Sequence, residues 1–121
     1  MSNPFFLALL SPLLPQLETS PSVLPCTPPE LASIKNGCLG VFGDWCRTCM
    51  VVKGKYRHYS SSRPSLPCYS ISYDPSTSQI LKSMGVRALP TFIVFEDGEV
   101  RERFEVTGSR WKEFQDILKN Y

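Results

Sequence analysis

The segment Trp45-Cys46-Arg47-Thr48-Cys49 places two cysteines three residues apart, between a short apolar run and a stretch with helical features. This spacing brings both sulfurs into one helical turn, close enough to bridge. At a helix start the unpaired N–H groups and the positive end of the dipole favour a thiolate, and Arg47 adds positive charge. The segment therefore predicts a redox dithiol, in which Cys46 attacks a disulfide and the deeper Cys49 resolves the mixed disulfide.

The same spacing also occurs in half of a structural zinc site. Such a site needs two more ligands, from a second Cys pair or a His pair. The sequence offers no second CxxC motif and one histidine, His58, in a basic stretch with Lys53, Lys55 and Arg57. We therefore expect no metal site, and we expect His58 to lie on the surface. Dithiol exchange needs no organic cofactor, and we expect none. The other alternative is a CxxC motif that arose by chance and has no function.

Length and composition narrow the class of protein. The chain has 121 residues, enough for one domain with its own core. A net charge of +2 without a basic stripe argues against a nucleic-acid partner. The apolar runs are shorter than the roughly 20 residues that span a membrane. We expect a monomeric protein that binds neither nucleic acid nor membrane.

The cysteine count bears on the compartment. Five cysteines are present, an odd number that cannot close into internal disulfides alone. This favours a reducing compartment with one functional pair. Cys38 and Cys68 fall in predicted strands, where we expect small buried hydrophobic residues, with a regulatory disulfide as the alternative. Cys26 is expected to be exposed and able to pair between chains.

The first part of the chain differs from the rest. Seven of the eleven prolines lie in the first thirty residues, which disfavours a central strand or long helix there. We predict a loosely ordered arm over 1–21 and one domain over 22–121. Residues 5–10 are apolar, but no Lys or Arg precedes them, so a targeting segment is not favoured. The protein is expected in the cytoplasm or in an organelle lumen or stroma.

Hydrophobic patterning predicts alternating strands and helices over 22–121. The predicted strands are 22–26, 38–42, 68–73, 91–95 and 100–106, and the predicted helices are 28–36, 44–59, 76–84 and 110–119. Early strands separated by helices favour parallel pairing, and Asp97-Gly98 predicts a hairpin that adds an antiparallel edge. The fold class is therefore α/β, a three-layer sandwich around a central mixed sheet.

Turn and cap residues set the predicted boundaries. Thr27 is a candidate N-cap with Pro28 at the first helical position, and Gly37 is expected to close that helix. Gly54 predicts a kink in the helix that follows the cysteine pair. Ser109 is expected to cap the last helix.

Several motifs that are distant in the sequence carry a resemblance to a known family. After Trp45-Cys46-Arg47-Thr48-Cys49, the chain carries Met84-Gly85-Val86-Arg87-Ala88-Leu89-Pro90-Thr91-Phe92 and Phe95-Glu96-Asp97-Gly98-Glu99-Val100, then Gly108. Cys46 and Pro90 are 44 residues apart. In these motifs and their order, residues 37–119 resemble thioredoxin, which implies the thioredoxin fold.

The resemblance also implies an activity and a set of site residues. It implies a protein-disulfide reductase that acts on client proteins and is recharged by an electron-donating reductase or a thiol pool. Pro90 corresponds to the family's cis-proline, and the backbone of Leu89 would bind an extended client segment by strand addition. The implied site is catalytic Cys46 and Cys49, with client contacts at Trp45, Arg47, Thr48, Leu89, Pro90 and Gly108.

Several positions depart from the family pattern. Gly40 stands where the family has a buried Asp, Ser70 replaces that residue's Lys partner, and Gly54 replaces a helix-kinking proline. The usual Gly-Pro between the cysteines is Arg47-Thr48, which leaves the reduction potential open. Three alternatives therefore stand beside the reductase: a weakened binding module, a net oxidant or isomerase, and a degenerate domain.

Overall fold

The computed structural model describes residues 23–62, 65–106 and 108–121. The predicted arm over 1–21 lies outside these residues. Five strands form one sheet in the order β1-β3-β2-β4-β5. The strands are β1 Val23–Pro25, β2 Gly37–Phe42, β3 Cys68–Ser72, β4 Thr91–Glu96 and β5 Glu99–Glu105.

Strand directions follow the predicted mixed pattern. Both β1 and β2 pair with β3 in parallel, as expected for strands joined through helical connections. Strand β4 is antiparallel to β2, and β5 is antiparallel to β4. The β4–β5 hairpin turns at Asp97 (φ +56°) and Gly98 (φ +80°), as the sequence predicts.

Helices cover both faces of the sheet and complete the three layers. They are α1 Arg47–Ser62, α2 Ser78–Ser83 and α3 Trp111–Leu118, with 3₁₀ helices at Pro28–Ser33 and Gly108–Arg110. Helices α1 and α3 share one hydrophobic cluster with the sheet. Helix α2 and the first 3₁₀ helix share the cluster on the opposite face. Within the described ranges, no helix has both the length and the apolar character that crossing a membrane requires.

An aromatic cluster fills the space between the sheet and the helices α1 and α3. The Phe92 ring lies 4.8 Å from both Tyr56 and Phe114 and 5.6 Å from Phe42, measured between ring centroids. Phe92, Tyr56 and Phe114 have no exposed surface. This packing fixes α1, and with it the cysteine pair at its start, against the strand ends.

The predicted helix over 28–36 is wrong in type and length. Thr27 does precede a helical segment, and its backbone N–H donates to the Glu30 carboxylate (2.8 Å). The segment is a 3₁₀ helix that ends at Ser33, and Ile34 is already extended (ψ 115°). The next two residues bind the β4–β5 hairpin: the Lys35 carbonyl accepts from the Gly98 N–H (2.9 Å) and the Asn36 side chain accepts from the Asp97 N–H (3.1 Å). Tertiary hydrogen bonds thus replace the last predicted helical turn.

Three helix details also differ from prediction. Helix α1 begins at Arg47, not at residue 44, and continues through Gly54 without interruption. Ser109 does not cap α3, because it lies inside the 3₁₀ helix and Arg110 is the N-cap residue. A helix that packs against the sheet along its length holds its hydrogen bonds through a glycine despite its lower helix propensity.

Candidate active site

The start of α1 holds the cysteine pair. The Cys46 carbonyl accepts from the Met50 N–H (3.3 Å), so Cys46 is the N-cap residue of α1. Its Sγ also accepts from the Cys49 N–H (3.1 Å), the usual contact of an N-cap side chain. Cys46 and Cys49 are joined in a disulfide. The helix N-terminus therefore donates directly to the sulfur that would carry a thiolate charge after reduction.

The two sulfurs differ in access to solvent. Cys46 is half-buried, whereas Cys49 is 1% exposed. The Gly43 N–H lies 3.5 Å from Cys49 Sγ on the inner side. An incoming disulfide can therefore approach Cys46 from solvent, whereas Cys49 is enclosed by the protein.

The loop before β4 faces Cys46. The Leu89–Pro90 peptide is cis, and the Leu89 carbonyl oxygen lies 3.8 Å from Cys46 Sγ. The Val106 N–H donates to the Pro90 carbonyl (3.0 Å) and so ties this loop to the chain after β5. Cys46 and Pro90, 44 positions apart in the sequence, thus belong to one site.

A groove of about 380 Å³ lies between the α1 start and this loop. It is lined by Trp45, Cys46, Tyr73, Val86, Arg87, Ala88 and Leu89. Trp45 is 68% exposed and forms one wall. A Cβ at Gly43 would lie 2.9 Å from the Leu89 side chain and 3.1 Å from the Trp45 ring, so the glycine lets both walls approach. The groove has the shape to receive a chain segment beside an accessible sulfur.

The structure brings part of the predicted site together. Trp45, Cys46 and Leu89 line the groove. Arg47 and Thr48 occupy the first turn of α1, directly after Cys46, and Pro90, directly after Leu89, is buried. Gly108 begins the 3₁₀ helix after β5 and is not among the described lining residues.

Sequence reasoning did not assign four lining residues to the site: Tyr73, Val86, Arg87 and Ala88. Tyr73 directly follows the parallel strand β3, and its N–H donates to the Phe42 carbonyl (2.7 Å). Residues at the carboxyl ends of parallel strands commonly line ligand crevices, and this signal was available in the sequence.

The structure shows what occupies the space around Gly40. Gly40 pairs with Ser70 in the β2–β3 register, so the two departures from the family pattern lie side by side. A Cβ at Gly40 would meet the Phe42 ring at 2.7 Å and the Phe92 ring at 2.9 Å. Aromatic rings thus fill the volume that a carboxylate side chain would need, and position 40 supplies Cys49 with no acid or base.

The remaining described cysteines lie in the core. Cys38 and Cys68 are paired across β2 and β3, at 0% and 2% exposure. Burial, and then the neighbouring Cys68 thiol, raise the pKa of the Cys38 thiol. The expected exposure of Cys26 is wrong: it is 8% exposed and packs with the cluster around the first 3₁₀ helix. Burial and nearby Glu30 also raise the pKa of the Cys26 thiol.

Metal-ligating side chains do not gather in the described ranges. No group of three or more His, Cys, Asp or Glu side chains there is arranged to hold a metal ion. His58 is exposed, as predicted.

The comparisons with known proteins agree with this geometry. A family model described as Thioredoxin matches residues 31–120. The chain is 29% identical over 73 residues to chloroplastic thioredoxin F-type of Brassica napus, covering 60% of this chain and 39% of the relative. It is 28% identical over 79 residues to thioredoxin Asp f 28 of Aspergillus fumigatus, covering 65% of this chain and 71% of the relative.

Solved structures extend the likeness to the fold. A crystal structure of the complex between ferredoxin:thioredoxin reductase and thioredoxin f2 contains a chain that matches with a TM-score of 0.70 and 19% identity, over 81% of this chain and 93% of that chain. The thioredoxin fold is thereby confirmed. The chain spans about two fifths of the length of the first chloroplast relatives it matches. Because the family model covers most of the sequence, including both cysteines and the cis-proline loop, the chain belongs to the thioredoxin family.

Proposed function

We propose that this protein is a thiol–disulfide oxidoreductase that reduces or exchanges disulfides in client proteins through Cys46 and Cys49. One observation carries the proposal. The two cysteines are disulfide-bonded at the N-terminus of α1, and the accessible sulfur of Cys46 faces the Leu89 carbonyl of the cis-proline loop at 3.8 Å.

The chemistry follows from the order of access. In the dithiol form, the Cys46 thiolate attacks one sulfur of a client disulfide, forms a mixed disulfide and releases the first client thiolate. Cys49, 1% exposed, loses its proton and attacks Cys46 Sγ. The second client thiolate leaves, and the Cys46–Cys49 disulfide forms. Two electrons pass to the client, and both client sulfurs leave as thiols after protonation.

The groove supplies the means of holding a client. An extended segment next to the client cysteine would pair with the backbone at Leu89, in the manner of strand addition. The exposed Trp45 ring offers apolar surface on the other wall. Arg47, Thr48, Pro90 and Gly108 complete the proposed client-binding set. Backbone pairing accepts many client sequences, because it reads no side chain.

Partners and location extend the same proposal. Electrons come from a separate reductase or thiol pool; the similarity to a thioredoxin f2 crystallised with ferredoxin:thioredoxin reductase supports a reductase. The similarity to chloroplastic thioredoxins supports an organelle stroma. We also propose that residues 22–121 are the catalytic domain and 1–21 an arm before it.

The packing around Gly40 favours a second candidate, a docking module with slow turnover. Because aromatic rings occupy the space beside Gly40, position 40 offers Cys49 no proton acceptor for the resolving step. In this variant of the function, the mixed disulfide with Cys46 forms but persists. The two candidates differ in the fate of that intermediate.

The first experiment tests for activity. Insulin reduction by dithiothreitol is followed for the wild-type chain, Cys46→Ser and the control Cys26→Ser, which removes a thiol from the opposite sheet face. We expect acceleration by the wild-type and control chains, and the rate of dithiothreitol alone with Cys46→Ser. Equal rates for Cys46→Ser and the wild-type chain would rule out the proposed reductase.

The second experiment separates the candidates. Wild-type and Cys49→Ser chains are mixed with a disulfide-containing client, and the mixed disulfides are quantified after acid quenching. A reductase accumulates them in Cys49→Ser and clears them in the wild type, whereas a slow module accumulates them in both. A reduction potential of about −270 mV for the Cys46–Cys49 disulfide would exclude a net oxidant.

A further inference from the structure

A second concave surface lies next to the catalytic groove. Its volume is about 390 Å³, and three arginines dominate its lining: Arg87, Arg103 and Arg110. Gly85, Phe104 and Glu105 line it as well. We call this surface the arginine hollow. Neither the dithiol chemistry nor the cis-proline loop accounts for it.

The arginine hollow and the catalytic groove share a residue. Arg87 lines both, and it lies two residues before Leu89, whose carbonyl faces Cys46. An extended chain advances about 3.3 Å per residue. A client segment bound along this loop therefore reaches the hollow within about two to four residues of its attacked cysteine.

Local packing holds two of the arginines in place. The Arg103 side chain crosses Gly85, where a Cβ would lie 2.7 Å from the guanidinium Nε. Gly85 has φ +92°, a conformation that favours glycine. Both this backbone conformation and the close contact with Arg103 therefore require a residue without a Cβ. Arg110 stacks over Phe104 at 4.3 Å from the ring centroid and donates to the Glu105 carbonyl (3.2 Å). The guanidinium groups are thus presented at defined positions.

The acidic residues around the hollow leave a net positive charge. Glu105 contacts Arg87 at 3.9 Å, and Glu113 pairs with Arg110 at 3.1 Å. Within residues 23–62, 65–106 and 108–121, Arg103 has no ion-pair partner. A guanidinium is the side chain best suited to bind a carboxylate through two parallel hydrogen bonds.

We infer that the arginine hollow binds an acidic segment of the client, with Asp or Glu about two to four residues from the disulfide cysteine that Cys46 attacks. The inference rests on the proposed function and names the client class of that same site. Arg103 is a specificity-determining residue for this segment, because its guanidinium has no ion-pair partner among the described residues and lies against Gly85. Charge complementarity selects clients that backbone pairing at Leu89 alone would not distinguish.

The test compares two disulfide-linked peptides that differ only near the cysteine. One carries Asp and Glu at the positions two to four residues away, and the other carries Ser and Gln. We measure kcat/KM for both with the wild-type chain at low ionic strength, expecting about a 3- to 10-fold preference for the acidic peptide. Arg103→Gln should remove most of the preference while leaving the rate on the neutral peptide unchanged, and Arg103→Glu should reverse it.

Arg101→Gln is the matched control. Arg101 lies on the same strand and is paired with Glu96 at 3.2 Å, outside the hollow. It should keep the wild-type preference. Added salt should reduce the preference of the wild-type chain, because exposed charges are screened. Equal rates of the wild-type chain on both peptides, or an unchanged preference in Arg103→Glu, would overturn the inference.

The design keeps the two proposals apart. The rate on the neutral peptide reports the oxidoreductase activity, and the ratio between peptides reports the arginine hollow. If neither peptide is reduced, the Cys46→Ser chain is titrated with each intact peptide by fluorescence anisotropy. Tighter binding of the acidic peptide that is lost in Cys46→Ser/Arg103→Gln supports the hollow. Equal binding of both peptides contradicts it.

Discussion

Two cysteine pairs lie on the same side of the sheet, in opposite chemical environments. Cys46 and Cys49 begin α1, where backbone N–H groups point at the sulfurs and a groove opens to solvent. Cys38 and Cys68 face each other across β2 and β3 in the core, with Tyr56 next to them. The Tyr56 hydroxyl lies 2.9 Å from the carbonyls of Cys38 and Tyr69.

The difference shows that position, not residue type, sets thiol chemistry. Helix N–H donors stabilise a thiolate, whereas burial destabilises it relative to the thiol. Cys46 has a backbone N–H donor and access to solvent. In the core pair, burial and the neighbouring Cys68 thiol raise the pKa of Cys38. The same residue type therefore forms the proposed reaction centre at one location and a small hydrophobic side chain at the other.

The largest expected effect is in alkylation rates. In the reduced protein at mildly alkaline pH, we expect Cys46 to react with iodoacetamide at least about 1,000-fold faster than Cys38, which reacts only when the core opens. Cys38 is fully buried, and Cys46 is half-buried. Peptide mapping by mass spectrometry measures both rates.

Unfolded chain provides the control for this measurement. In concentrated guanidinium chloride, all five cysteines should be labelled at similar rates, because burial and the helix N-terminus are both lost. Similar rates for Cys38 and Cys46 in the native protein would show that the two environments do not differ as described.

The next effect concerns the aromatic packing around Gly40, in the same core cluster as Cys38, Cys49 and Cys68. Gly40→Ala should lower the free energy of unfolding by about 1–3 kcal/mol, because the new Cβ overpacks against Phe42 and Phe92. Gly54→Ala is the matched control, since a Cβ there meets nothing within 4 Å. We expect it to stabilise α1 by up to about 1 kcal/mol. Urea denaturation measures both, and equal effects of the two substitutions would contradict this account of Gly40.

The smallest effect is a pH dependence of stability. The pKa of Cys38 is raised in the folded state, so folding favours the protonated thiol. Its contribution to the free energy of unfolding is fully present below the unfolded pKa of about 8.5–9 and is lost as pH rises above that value. Between about pH 8 and about pH 10, the reduced wild-type chain should lose about 1.4 kcal/mol more than Cys38→Ala. The free energy of unfolding is measured by urea denaturation at each pH. An equal loss in the two chains would show that the Cys38 thiol has the same pKa in the folded and unfolded states.

Much of the fold was readable from local pattern. All five predicted strands are found, and each begins and ends within one residue of its predicted limits. The CxxC motif and the Leu89-Pro90 loop were found through their types and order in the sequence. These features depend on short-range periodicity and on residues with special backbone properties, so the sequence carries them directly.

Other features needed contacts between distant residues. The first helix shortens because Lys35 and Asn36 bind the hairpin at Gly98 and Asp97. Cys26 is buried because β1 and the first 3₁₀ helix pack on the sheet. The arginine hollow joins Arg87, Arg103 and Arg110 from three separate segments. No local pattern in the sequence marks such groupings.

By itself, the sequence determined the strand and helix order, the CxxC pair Cys46 and Cys49, and the proline loop that accompanies it. The tertiary structure decided which cysteines are accessible, which residues line the groove and which arginines meet beside it. The physical reason is one of range. Periodicity and caps act within a few residues, whereas burial, pKa and shared charge depend on groups that folding brings together from far along the chain.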